Sequence, residues 1–259
     1  MGLRFIVGGH TDTGRVRQAN EDAFCLVPEE NAWILADGMG GHVAGAIASQ
    51  MAVEKVKDFL TRWRHEPDFA WPFEIMPGRS AHENALLNAV RVANVRLYNR
   101  SEVDEGCHGM GTTLVVMLHD QEQGMIIAHV GDSRCYRLRG ETLTLLTDDH
   151  SLVNHLIRFF HLSEAQAKAR AGSNVIVRAV GLEDDVEADL NIDVPQFDDV
   201  YMACSDGLTD LVDDWAIQNI LLNNADKPQA AAEALVRQAN AAGGTDNTTV
   251  IVLKAVLEL

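Results

Sequence analysis

The sequence predicts an α+β fold in which antiparallel sheet is covered on the outside by helices packed in pairs. Three observations carry this. Short, apolar, β-prone runs occur at the beginning, middle and end of the 259-residue chain. Most of them are separated by turn sequences short enough for hairpins. The helical stretches come two at a time, which speaks against alternating β-α-β units. With no repeat, low-complexity tract or linker, and with a strand closing the chain, residues 1–259 read as one domain.

The elements follow in order. Strands are expected at 4–9 (RFIVGG), 22–28 (DAFCLVP) and 31–37 (NAWILAD), the last two joined by a hairpin turn at Glu29-Glu30-Asn31. Residues 43–62 place Ala48, Met51, Ala52, Val56 and Phe59 on one helical stripe, and 81–100 do the same with Leu86, Leu87, Val90, Ala93 and Leu97. Pro67, Pro72 and Pro77 forbid one continuous helix between them. The Trp-rich loop 63–77 reads as apolar cover for this helix pair rather than a partner surface. Four strands follow at 112–118, 124–130, 133–139 and 141–146, with Gly-rich separators. Residues 151–171 look helical, and 175–180 either extend that region or form a strand. Strands resume at 187–194 and 199–205. Helices at 215–224 and 228–241 then lead to a last strand, 247–257.

Composition bounds the function. Apolar residues at 47% and charged residues at 23% describe a soluble globular chain with a sizeable core. Lys and Arg total 21 against 38 Asp and Glu, a net charge of −17. That balance disfavours nucleic acid and anionic membrane, and it suits a protein that holds multivalent cations. Cys25, Cys107, Cys135 and Cys204 form no C-x-x-C pair, so a zinc ribbon or redox centre is not expected. No apolar run approaches the ~20 residues that span a bilayer. The N-terminus lacks a signal-peptide core, and Ile6 stands where myristoylation needs Ser or Thr. A cytoplasmic protein with reduced thiols is the expectation.

The informative feature is where the acidic residues fall. Asp37-Gly38 ends the run AWILAD, and Asp206-Gly207 ends VYMACSD. Asp-Gly is by itself a common turn pair. A hairpin turn would lead into another strand, however, and here both pairs lead into helices. Asp132 lies in HVGDSR between two strands, Asp246 directly before the last strand, and Glu21 and Asp22 at the start of the second. Six carboxylates thus stand at strand rims. Carboxylates that converge need a cation between them to ionise together, and oxygen ligands select Mg²⁺ or Mn²⁺ over Zn²⁺. Two such ions about 3.5–4 Å apart can activate water for in-line displacement at phosphorus. Arg17, four residues before Glu21, offers a fork for phosphate oxygens.

Read in order, DTGRVRQANED, ILADGMGGHVAG, GMGTTLVV, HVGDSRCYRLR, LTDDHS, CSDGLTD and GGTDNTTVIVL resemble the successive motifs of the metal-dependent Ser/Thr protein phosphatases of the protein phosphatase 2C type, in their bacterial single-domain branch. The resemblance runs from about residue 8 to 253. It implies a central β-sandwich of two antiparallel sheets flanked by helix pairs, and hydrolysis of phosphoserine and phosphothreonine on proteins with Mn²⁺ or Mg²⁺. It further implies that Asp37 bridges two metals and that the Gly38 carbonyl binds one of them. Asp206 and Asp246 would bind metal on their side, Glu21 and Asp22 would act through waters, and Arg17 would grip the phosphate. Asp132 with Asp206 would hold a third, weaker ion, and Asn247 would orient Asp246 or a water. A Ser/Thr kinase is the expected opposing enzyme.

Two features depart from the family pattern. Met39 follows the first Asp-Gly, where many eukaryotic relatives carry a His proposed as general acid; His42 is not that residue and reads as peripheral. Residues 151–181 resemble the family's flap, yet carry Phe159-Phe160 where a Gly-containing turn is usual. His129 and His150 read as core or rim residues rather than ligands. A two-metal nuclease is disfavoured by the charge, and a calcium-binding module by the lack of an EF-hand loop and of a role for Arg17. A catalytically dead sensor would have lost a metal carboxylate, and none is lost.

Overall fold

The computed structural model describes residues 2–172 and 175–258, the side chains of His42 and Glu164 excepted. Its strands are β1 (Leu3–Asp12), β2 (Asp22–Val27), β3 (Ala32–Met39), β4 (Gly111–Thr112), β5 (Leu114–Asp120), β6 (Gly124–Val130), β7 (Arg134–Arg139), β8 (Thr142–Leu145), β9 (Asp189–Asp193), β10 (Val200–Cys204) and β11 (Thr248–Leu257). The helices are α1 (His42–His65), α2 (Ala81–Val103), α3 (Leu152–Phe160), α4 (Glu164–Ala171), the single turn α5 (Asp206–Thr209), α6 (Asp214–Asn223) and α7 (Pro228–Ala241).

Two sheets form, and every pairing is antiparallel. One has the order β1-β11-β10-β7-β8; the other has β2-β3-β5-β6-β9, with β4 alongside the end of β3. The first strand pairs with the last over its full length, from Leu3 opposite Leu257 to Asp12 opposite Thr248.

The alternation of side chains divides each strand between two cores. Trp33, Leu35, Val115, Met117, Ile127, Tyr201, Ile251 and Leu253 fill the space between the sheets. Ile34, Ala36, Val116 and Ile126 point the other way, onto α1 and α2. Met202, Cys204, Val250 and Val252 likewise meet α6 and α7. The layers are therefore α-β-β-α. Phe69 and Trp71 of the loop between α1 and α2 pack on Phe59, with ring centroids 5.2 and 6.5 Å away, so this loop covers the helix pair.

Three local readings change. The turn after β2 is a single 3-10 turn, Pro28–Glu30, closed by Asn31 in the left-handed region at φ 49°, a conformation Asn tolerates. The run 112–118 is broken at Thr113: β5 pairs with Ala32–Leu35, whereas β4 pairs with Gly38 and Met39. Residues 175–180 are neither helix nor strand, but touch the body through two bridges, Ser151 to Ile176 and Thr112 to Val180. All four cysteines are free.

Candidate active site

The register of the two sheets brings the strand ends together. Asp22 lies opposite Asp37 at the mouth of the β2–β3 pair. On the other sheet, β10 delivers Asp206 and the start of β11 delivers Asp246. Asp37, Asp206 and Asp246 line a cleft of about 410 Å³ with Arg17, Glu21, Gly38, Met39, Ile176 and Asn247, and Asp22 is buried behind it. A larger groove, about 740 Å³, lies over α1 and α2 beside the Trp-rich loop and has no carboxylate cluster.

Close crossings of backbone explain both Asp-Gly pairs. A β-carbon on Gly38 would sit 2.1 Å from the Gly45 carbonyl oxygen, and one on Gly207 would sit 2.0 Å from that of Asn247. Glycine is therefore required for the packing of each strand end against its neighbour. Gly45 in turn makes room for the Glu21 carboxylate, which lies over the first turn of α1.

The backbone of these residues is tied down by neutral groups. The Glu21 N–H donates to Asn247 Oδ1 at 2.8 Å, and Ser49 Oγ donates to the Glu21 carbonyl. The Gly38 N–H donates to that same carbonyl at 3.2 Å. Asn247 spends its carboxamide N–H groups on the carbonyls of Thr13 and Ala19, and its backbone N–H on Asp246 Oδ1. Its side chain thus fixes the 13–21 loop, while Asp246 is oriented by its main chain. Arg17 reaches Asp246 Oδ2 at 2.6 Å across the mouth of the cleft.

The electrostatics are those of crowded like charges. Burial first, then the charges of Asp22, Asp206, Asp132 and Asp246, hold the Asp37 carboxyl well above the usual carboxylate range. Burial and the charges of Asp132, Asp210, Asp246 and Asp22 do the same to Asp206. Asp22 is pushed up to about 6 mainly by burial, against hydrogen bonds from Thr249 and Ser205 to its Oδ2. Asp132 is pushed up to about 6 by burial and by Asp149 and Asp210. Oδ1 of Asp22 and Oδ1 of Asp132 are buried and, among the described residues, meet no hydrogen-bond donor. Crowded carboxylates with unpartnered oxygens fit hard divalent cations.

Every site residue singled out from the sequence lies in this region, and the side chain of His42 lies outside the described residues. Sequence reasoning missed Thr112, Thr113, Ser49, Ser205, Thr249 and Asp210. Asp210 had a signal, since it follows Asp206 by one helical turn in DGLTD and its N–H closes that turn on the Asp206 carbonyl at 2.8 Å. The hydroxyls had none.

His129 and His150 are buried beside the cluster, their rings stacked at 4.8 Å, and lie near Asp189. The Gly131 N–H donates to His150 Nδ1, which puts the ring proton on Nε2. Arg178 Nη1 already sits 2.7 Å from Asp189 Oδ1 and 3.2 Å from His150 Nε2. A guanidinium therefore fills the place a cation would take there.

Comparison with known proteins places the chain among phosphatases. The family model "Protein phosphatase 2C" matches residues 10–240. The serine/threonine phosphatase stp of Listeria monocytogenes is 38% identical over 249 residues, covering 94% of this chain and 93% of that protein. The serine/threonine phosphatase of S. agalactiae superposes with a TM-score of 0.83 at 34% identity, over 98% of this chain and all of that one. The catalytic domain of serine threonine protein phosphatase PstP, solved in complex with two manganese ions, superposes with a TM-score of 0.81 at 32% identity, over 98% of this chain and 100% of that one.

Proposed function

The chain belongs to the protein phosphatase 2C family and is a metal-dependent serine/threonine protein phosphatase; from that premise we propose that Asp37, the Gly38 carbonyl, Asp206 and Asp246 hold two divalent cations, Mn²⁺ or Mg²⁺, at the floor of the cleft. The observation that carries the assignment is the convergence of Asp37, Asp206 and Asp246 from two sheets at one cleft with Asp22 buried behind it, where Asp22, Asp206 and Asp246 raise the proton affinity of Asp37. Bound there, the ions would supply Lewis acidity that activates water and offsets the charge of the phosphoryl group.

The protein's own groups do the rest. Glu21 and Asp22 would help hold the ions through water, and Asp132 with Asp206 would form a third, weaker site. Arg17 stands at the mouth, and its remaining N–H donors capture phosphate oxygens while Asp246 keeps it pointed inward. Asn247 holds the 13–21 loop against Glu21, which keeps Arg17 and the carboxylates in one frame. Met39 has no proton to give, so it is not the general acid. Residues 1–259 act as a single catalytic domain, with 151–181 as a flap whose Ile176 reaches the cleft. The substrates are phosphoproteins, and the reading extends to a cytoplasmic setting opposite a Ser/Thr kinase.

The test is hydrolysis of a phosphothreonine peptide with Mn²⁺ or with EDTA. Activity only with the cation supports the assignment, and undiminished activity in a metal-free preparation would overturn it.

A further inference from the structure

Thr113 interrupts the run 112–118, and its atoms are unusually occupied for a buried threonine. Its N–H donates to the Asp37 carbonyl at 2.8 Å, and its Oγ1 accepts the Asp37 N–H at 3.0 Å. The same Oγ1 lies 2.7 Å from Ser133 Oγ. On the other side, a β-carbon built on Gly131 would meet the Thr113 Cβ and Cγ2 at 2.7 Å, so the methyl face of Thr113 lies directly over that glycine. Gly131 has φ of +100° and turns the chain into Asp132. Thr113 therefore grips Asp132 from both sequence neighbours and closes a two-bond ring with Asp37. Both Thr113 and Ser133 are 1% exposed, so water does not compete for these bonds.

We propose that Thr113 is a positioning residue whose hydroxyl fixes the separation between the Asp37 strand end and the Asp132 turn, and thereby the affinity of the site for divalent cations. The inference rests on the ligand assignment above and adds to it a residue that touches neither ion nor substrate. The physical reason is direct. Asp37 and Asp132 repel each other and belong to different strands of one sheet, since Asp37 lies near the end of β3 and Asp132 follows β6, on either side of β5. Without a cation, nothing in their own charge holds them at a fixed distance. A neutral hydroxyl can do so at no electrostatic cost, because it accepts from one side while donating to or accepting from the other. Hydrogen bonds behind metal ligands typically alter metal affinity by 10- to 100-fold.

The experiment compares Thr113→Val, which keeps the shape and the methyl that faces Gly131, with Thr113→Ser, which keeps the hydroxyl. Mn²⁺ binding is measured by calorimetry, and the thermal midpoint is measured in EDTA. Thr113→Val should bind Mn²⁺ about 10- to 100-fold more weakly, while Thr113→Ser stays within about threefold of wild type, well under that range. Wild-type affinity in Thr113→Val would overturn the proposal. A loss in Thr113→Ser as large as that in Thr113→Val would also overturn it, because the hydroxyl that serine retains would then not be what sets the affinity. Asp37→Asn runs alongside. Its loss of Mn²⁺ binding keeps the ligand assignment standing whatever Thr113 does, whereas its retention would remove that assignment and this inference together.

Discussion

Asp37 and Arg17 answer to different measurements. Asp37 is held among four other carboxylates, and its charge is useful only when a cation is present. Asp37→Asn, Asp206→Asn and Asp246→Asn should each lose most of kcat. In EDTA they should melt no lower than wild type, because each removes a repulsion. A lowered midpoint in EDTA with near-normal turnover would show a structural aspartate. Arg17 is 44% exposed at its side chain and pairs with Asp246 at the surface, so its removal should hardly touch stability. Arg17→Ala should instead cut kcat/KM by roughly 10- to 150-fold, the equivalent of about 1.5–3 kcal/mol for charge-assisted hydrogen bonds, with Mn²⁺ affinity retained. Loss of metal binding at unchanged KM would make it structural. His42 begins α1, five residues beyond Asp37. His42→Ala should cost less than about tenfold on a phosphothreonine peptide, below the 10²–10⁴ of a dedicated general acid. A loss confined to the peptide and absent with p-nitrophenyl phosphate would reverse that.

Elements show why the ends of strands were legible and their supports were not. A continuous apolar run that stops at a carboxylate and turns into a helix leaves a mark in the sequence, and Asp37 and Asp206 both carry it. Thr113 leaves none, because a threonine within TTLVVML suits an unbroken strand as well as a kinked one. The flanks of α2 were hidden for the same reason. Asn94, midway along it, accepts from the Gly181 N–H at 2.7 Å and donates to the Glu183 carbonyl at 3.0 Å, fastening the end of the flap segment. A buried asparagine in a helix has no signature until the loop it serves is in place. The Trp-rich loop was legible as cover because its aromatics matched an apolar helix face. Trp71→Ala should destabilise by about 2–3 kcal/mol in urea, toward the lower end of large-to-small changes since the residue is only partly buried. Turnover of p-nitrophenyl phosphate should stay within about twofold, as expected where no cap, ligand or network is lost at the site. A catalytic defect without a stability loss would make the loop part of the active machinery.

The molecule as a whole couples protons to cations. Without metal, Asp22 and Asp132 titrate near 6 in the fold against an ordinary value of 3.8. The folded state then holds more protons than the unfolded chain between those values. Its extra stability is complete below about 4 and is lost as pH rises through about 6. His150, lowered to about 4 mainly by burial, works in the opposite direction, but it does so with or without added metal. Cations replace the protons on the carboxylates. The stabilisation by Mn²⁺, read as a rise in Tm, should therefore be small near pH 5 and grow toward pH 7.5, approaching about 2.7 kcal/mol of added stability at a hundredfold excess over Kd. Differential scanning calorimetry at both pH values checks this, and an equal shift at both would rule out proton–metal competition. The pairing of β1 with β11 has a temporal consequence. Asp246 and Asn247 immediately precede β11, and β11 lies between β1 and β10. During synthesis Asp37 is added 246 − 37 = 209 residues before Asp246, a delay of roughly 10–40 s at ordinary elongation rates. Until residues 246–257 are made, β1 and β10 have no strand between them and the carboxylate cluster is short of a member. On the proposed ligand set, a nascent chain that stops short of β11 has an incomplete metal site, and translation of Asp246 and β11 completes it.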